Sequence, residues 1–153
     1  MIAFRGNYPT RIEEGGRLKI PTQIKKLLDD AGVTEVYITS EDGVSAQIWP
    51  LQEWEKQEKR LAVSGTMDEA VDDYMEVTSY YGQQMELDKQ GRVTLPQILR
   101  KDAGLEGEVA VQGKLNYVKV QLLEQVKDKV KSTLMTPERR KVLAPILKPE
   151  QES

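Results

Sequence analysis

One pattern is written twice in this chain, and it limits the fold more than any local propensity does. Residues 13–17 are EEGGR and residues 88–92 are DKQGR; they run into RLKIP (17–21) and RVTLP (92–96). The likeness continues downstream. Proline opens a short helical stretch in each copy, PTQIKKLLDDAGV and PQILRKDAGL, and both contain DAG (30–32 and 102–104). Alternating, β-rich segments follow, EVYITS (35–40) and EVAVQG (108–113), then turns at 41–45 and 114–116, then AQIWP (46–50) and YVKVQ (117–121). Each unit predicts strand, hairpin, strand, short helix, strand, turn, strand. The expected class is mainly β with helices (α+β), built from two internal repeats.

The spacing of the motif predicts a tight hairpin within each copy. Pairing Glu13 with Arg17 sets Ile12 against Leu18, Arg11 against Lys19 and Thr10 against Ile20. The loop is then Glu14-Gly15-Gly16, a type I turn closed by a left-handed residue, and Gly16 suits that third place because it has no Cβ. In the second copy Asp88 pairs with Arg92, and Gly91 takes the left-handed place. Glu13, Gly16, Asp88 and Gly91 are thus the structural turn residues. Within each motif the acid and the arginine are expected to form a cross-strand ion pair.

Two residue types are missing, and their absence narrows the chemistry. The chain has 153 residues and no cysteine or histidine. Disulfides and thiolate metal sites are excluded, and so is the commonest general base near neutral pH. No cofactor or small-molecule substrate is evident. No apolar run is long enough for a membrane span, and MIAFRGNYPTR lacks the apolar core of a signal peptide; a cytoplasmic location is expected. The net charge is −3, unevenly spread: residues 1–27 hold six Lys/Arg against two acids, residues 41–80 three against ten.

Helices are predicted after each unit. In 50–62, Leu51, Trp54, Glu58 and Leu61 fall at helical spacing, with Trp54 as a docking anchor. Residues 67–83 continue with Ala70, Val71, Tyr74 and Val77. Residues 122–134 align Leu122, Val126, Val130 and Leu134. Residues 136–147 begin with Thr136 as N-cap and Pro137 in the first turn, and Pro145 is expected to end or kink that helix. The tail KPEQES is expected to be disordered.

FRGNYPTRIEEGGRLKIP, VYITS, IWPLQEWE and LDKQGRVTLP together resemble the MraZ family of bacterial transcriptional regulators, over roughly residues 4–135. The resemblance implies two AbrB-like units, each with a D-x-x-x-R motif, forming a pseudo-dimeric swapped-hairpin β-barrel with flanking helices. The expected organisation is a first AbrB-like domain at 5–53, a helical linker at 54–82, a second such domain at 83–126, a helical segment at 127–147 and a tail at 148–153. The resemblance also implies ring-shaped homo-oligomers, association with the nucleoid, and binding of double-stranded DNA at direct repeats in the family's own division and cell-wall cluster promoter. Glu13 departs from the family's usual aspartate, which lengthens the reach to Arg17.

Strand alternation then selects the DNA-binding candidates. Tyr8, Thr10 and Ile12 share a face with Leu18 and Ile20, leaving Arg5, Arg11, Arg17 and Lys19 on the other. Cations at strand spacing follow phosphates, and a β-ribbon fits the major groove. In the second copy Lys89 and Arg92 remain, but Arg11 and Lys19 are matched by Glu86 and Thr94. The copies are therefore expected to be unequal, the first reading DNA and the second mainly completing the barrel while adding phosphate contacts through the candidates Lys89 and Arg92. Lys25 and Lys26 read as solvated helix residues. An enzyme built on Asp29/Asp30 or Asp72/Asp73 is disfavoured because adjacent acids on a helix diverge. An AbrB-like antitoxin and a structural ring protein without DNA binding are the remaining alternatives.

Overall fold

A computed structural model describes residues 2–64 and 68–149. It contains eight strands, β1 (Asn7–Ile12), β2 (Arg17–Lys19), β3 (Glu35–Thr39), β4 (Ala46–Pro50), β5 (Gln83–Glu86), β6 (Arg92–Thr94), β7 (Gly107–Gly113) and β8 (Val118–Leu122). Among the same residues six α-helices accompany them, α1 (Thr22–Asp30), α2 (Leu51–Val63), α3 (Glu69–Tyr80), α4 (Gln97–Ala103), α5 (Leu123–Thr133) and α6 (Pro137–Leu147). The repeat is therefore structural as well as textual.

The strands do not pair as the sequence leads one to expect. The six-stranded antiparallel sheet has the order β1-β7-β8-β4-β3-β5, and β2 and β6 form a separate two-stranded ribbon. The first strand of each copy thus crosses to the other copy's hairpin: β1 lies on β7 with Tyr8 opposite Val111, and β5 lies on β3 with Met85 opposite Val36. The expected register of Ile12 on Leu18, Arg11 on Lys19 and Thr10 on Ile20 is replaced. Thr10 faces Val109, Arg11 faces Glu108 and Ile12 faces Gly107, while Leu18 faces Val93. The motif spacing fixes only the turn itself, where Glu13 N–H donates to the Arg17 carbonyl at 2.8 Å. Beyond it, a long strand gains more by pairing in a sheet than in a lone hairpin, which is marginal in water. The sheet is open, with β1 and β5 as edges, and among the described residues no closed barrel forms.

Alternation along the strands divides the molecule into layers. One sheet face carries Val36, Ile38, Ile48, Val109, Val111, Val118 and Val120, which pack with Leu18 and Val93 of the ribbon and with Ile24, Leu28, Leu99 and Ala103 of α1 and α4 in one continuous core. The opposite face is covered by the longer helices. Trp54 of α2 stacks on Tyr37 with ring centroids 4.8 Å apart and meets Trp49 edge-on at 5.4 Å; Trp49 in turn stacks on Tyr117 at 4.6 Å. Trp54 is 5 % exposed, as befits a docking anchor. Tyr37 OH and Thr39 Oγ1 both donate to the Thr78 carbonyl, at 2.9 and 2.7 Å, tying the end of α3 to β3.

The last helices depart from expectation. Thr136 does cap α6, its side chain accepting from Arg139 N–H at 3.2 Å, and Pro137 occupies the first turn. Pro145 does not end the helix, which runs on to Leu147. Of the aligned residues on α5, Val126 is buried but Val130 is exposed, as is Leu134 just beyond the helix. Of the tail KPEQES, residues 150–153 lie outside the described residues.

Candidate nucleic-acid interface

The two motifs meet at the ribbon. Register pairs Arg17 with Thr94, Leu18 with Val93, and Lys19 with Arg92. Leu18 and Val93 point into the core, so Arg17, Lys19, Arg92 and Thr94 share the outward face. The Leu18–Val93 pair marks a pseudo-twofold relating the copies. The same relation appears in the turn contacts, because Ile20 N–H donates to the Gly91 carbonyl at 2.9 Å and Leu95 N–H to the Gly16 carbonyl at 3.0 Å.

The ion pairs are exchanged between copies, which overturns the expected pairing within each motif. Arg17 Nη2 donates to Asp88 Oδ2 at 2.7 Å, and Arg92 Nε donates to Glu13 Oε1 at 2.7 Å. The exchange follows from the ribbon: once β2 and β6 run antiparallel side by side, each arginine lies beside the other copy's acid. Glu13 and Asp88 are both held below the usual carboxylate range. For Glu13 the chief cause is the hydrogen bond from Arg92; for Asp88 it is the bond from the Arg92 backbone N–H, with Arg17 and the Gln90 N–H adding to it.

The two arginines are not equivalent. Arg92 spends all three of its nitrogens: Nε and Nη2 reach Glu13, the latter at 3.4 Å, and Nη1 reaches Gln90 Oε1 at 3.0 Å. Its side chain is 22 % exposed. Arg17 makes one such contact, through Nη2, and its side chain is 49 % exposed. Asp88 is also the more rigid acid. Its Oδ1 accepts from Gln90 N–H at 2.8 Å and Arg92 N–H at 2.9 Å, leaving Oδ2 to aim Arg17. The Glu13 side chain makes no such bond to its own turn. The extra methylene that distinguishes Glu13 thus goes with a two-point grip on Arg92.

The remaining candidates separate. Lys19 and Lys89 are exposed on or beside the ribbon. Arg11 is exposed on the edge strand β1, where it lies opposite Glu108 and pairs with it at 3.6 Å, not opposite Lys19. Arg5 is exposed just before β1, about 20 Å along the chain from Arg11 at strand rise. Arg11 on β1 and Arg17 and Lys19 on β2 therefore lie on strands of different sheets, with Arg5 ahead of β1, and do not share one hairpin face. Lys25 is not simply solvated; it pairs with Asp29 at 2.6 Å, and its methylenes pack over Gly91.

The turn glycines behave in part as expected. Gly16 and Gly91 have φ of +81° and +76°. Gly15 is also left-handed, at +79°, so the first turn is not the type I turn predicted. Gly16 is further constrained by Arg100, which donates Nε–H to the Leu95 carbonyl at 3.2 Å and lies where a Cβ would stand. Nothing in the motif signals Asp88 and Glu108 as partners of first-copy arginines, because both belong to the other half of the chain. Its one signal is the repeat itself, since two copies of an acid–arginine motif permit exchange.

A family model described as "MraZ protein, putative antitoxin-like" matches residues 82–141, which include the second motif. A protein named "Transcriptional regulator MraZ" from Acidobacterium capsulatum is 45% identical over 92% of this chain and 97% of its own length. The chain belongs to the MraZ family. Further MraZ relatives of the same name are those of Koribacter versatilis, 42% identical over 92% of this chain and 97% of the relative, and Kineococcus radiotolerans, 36% over 72% and 74%. MraZ relatives are thus named as regulators of transcription, not as enzymes. Among the described residues of this member, no helix is long and apolar enough to cross a membrane.

Proposed function

We propose that this protein is a sequence-specific, DNA-binding transcriptional regulator that contacts double-stranded DNA through the outer face of the β2–β6 ribbon. The observation that carries the reading is the state of Arg17: aimed by Asp88 through a single contact, half exposed, and left with donors to spare. A guanidinium so held can grip guanine O6/N7 or a phosphate with two parallel bonds. Lys19 and Lys89 supply phosphate contacts beside it, with Arg11 and Arg5 along β1. Arg92, with its nitrogens engaged, is a structural residue that adds little to binding. The exchanged strands and ion pairs support a pseudo-dimeric, AbrB-like relation between the units at 5–53 and 83–126.

Several copies in one assembly, reading direct repeats in the protein's own promoter, would gain affinity from effective concentration without new contacts. The site of action is then the nucleoid. Against the antitoxin alternative stands the interlocking of two copies in one core, followed by the helices α5 and α6.

The decisive experiment is a gel shift and footprint on the region upstream of the gene. Protected, regularly spaced boxes are expected, lost in Arg17→Ala while the variant stays folded. A folded Arg17→Ala protein that binds with wild-type affinity would falsify the assignment.

A further inference from the structure

The ribbon leaves one large feature unused. Val130, Leu134, Met135, Val142, Ile146 and Leu147 are exposed on the C-terminal arm, and α6 buries none of its residues. Single exposed apolar residues are ordinary, but six within one arm concentrate apolar surface there, the kind of excess that goes with an interaction surface. Val142 and Ile146 are 74 % and 75 % exposed and stand one helical turn apart on one face. The arm is also basic, with seven Lys/Arg against two acids in residues 127–148. Its corner is nevertheless fixed, because Arg139 Nη1 donates to the Ser132 and Leu134 carbonyls at 3.2 and 3.0 Å.

The opposite features occur elsewhere on the same chain. Between α2 and α3 lies a groove of about 220 Å³, with Tyr37 and Trp54 at its floor and Leu61, Ala62 and Met75 on its walls. The chain's own α6 does not fill it. Its rim is acidic. Glu58 lines it, and α3 carries Glu69, Asp72, Asp73 and Glu76 without one Lys or Arg. Helical spacing places Asp72 and Glu76 on the same face as Met75 and Ser79.

We infer that α6 of one copy seats Val142 and Ile146 in the α2–α3 groove of a second copy, its cations lying against that copy's acidic α3. Apolar residues supply the contact and opposite charge sets its orientation. The two surfaces differ, so the contact is head-to-tail and propagates from copy to copy until it closes. The inference specifies the partner surfaces of the proposed assembly and does not rest on DNA binding. A chain unable to bind DNA would still associate this way, and a chain that binds DNA through the ribbon need not.

Because the chain has no cysteine, Val142→Cys with Ala62→Cys introduces the only two thiols. Mild oxidation of the full-length double variant should give a ladder of dimers and larger species on a non-reducing gel, collapsing on reduction. A monomer band alone, whether from an internal disulfide or from none, overturns the inference. Sedimentation velocity supplies the second measurement. Arg140→Glu with Lys141→Glu, or Asp72→Lys with Asp73→Lys and Glu76→Lys, should each weaken association at least about tenfold, and combining the sets should restore it. Unchanged mass in either set, or no recovery in the combination, overturns the inference equally, as does a monomeric wild type at micromolar concentration.

Discussion

Arg17 Nη2 lies 2.7 Å from Asp88 Oδ2, although 71 residues separate the two along the chain. Arg92 makes the reciprocal reach to Glu13. Each motif therefore completes the other, and the second copy shapes the surface that the first presents.

The role of Asp88 can be separated from that of its turn. Asn at 88 keeps an Oδ1 acceptor for the Gln90 and Arg92 N–H groups but loses the charge that holds Arg17. Asp88→Asn should keep the turn folded and lower the melting temperature modestly, by the charge-dependent part of these contacts. Removing a negative charge beside DNA should raise affinity for random sequence, while the unpinned guanidinium loses specificity. The ratio of promoter to random-sequence affinity, measured by competition, is expected to fall several-fold. An unchanged ratio would show that Asp88 does not aim Arg17.

The arginines should separate stability from binding. Arg92→Ala removes contacts to Glu13 and Gln90 and should lower the melting temperature more than Arg17→Ala does. In DNA titrations the order should reverse, with Arg17→Ala the more damaging. Equal losses in folded proteins would refute the inequality of the copies.

Acid should loosen the exchange. Glu13 and Asp88 are both depressed in the folded state, so the unfolded chain takes up protons first as pH falls. Their contribution is complete above the ordinary carboxylate pKa, about 4, and is lost as pH drops through the folded values. Thermal melts from pH 6 down to 2.5 should show a steeper loss in wild type than in Glu13→Gln with Asp88→Asn. Parallel curves would count against these pairs. Asp42 contributes in the same direction: burial pushes its carboxyl up, but hydrogen bonds from Ser45, Val44 and Ser40 outweigh this. The double variant should therefore retain part of the acid sensitivity.

The turn glycines should differ despite their equal places. An L-residue in the left-handed region costs about 1–2 kcal/mol. Gly16→Ala adds a clash with the guanidinium of Arg100, whereas Gly91→Ala meets only the flexible methylenes of Lys25 at 3.2 Å. Denaturant unfolding should find Gly16→Ala the more destabilised. If Gly91→Ala is equally or more destabilised, the packing of Arg100 is not what fixes that turn.

Trp54 tests the outer layer. Its truncation removes the stack on Tyr37 and the edge contact with Trp49. Trp54→Ala should cost about 3–5 kcal/mol in equilibrium unfolding. A cost below about 1 kcal/mol would mean that α2 is not anchored there.

Much of this was legible in the chain. The repeat gave the order of elements in both halves, alternation put Leu18 and Ile20 on one face, where both are buried, and glycine marked the left-handed turn places because no other residue adopts them freely. Partnership was another matter. A strand's period of two says which face a residue occupies but not which strand lies beside it, and two similar copies make the self-paired and crossed arrangements read alike. The three-dimensional fold chose the crossed one, in which β1 and β5 extend the other copy's hairpin and bury their apolar faces on a shared sheet. That choice put Asp88 beside Arg17 and Glu13 beside Arg92, and so decided which arginine is held by one bond and which by three.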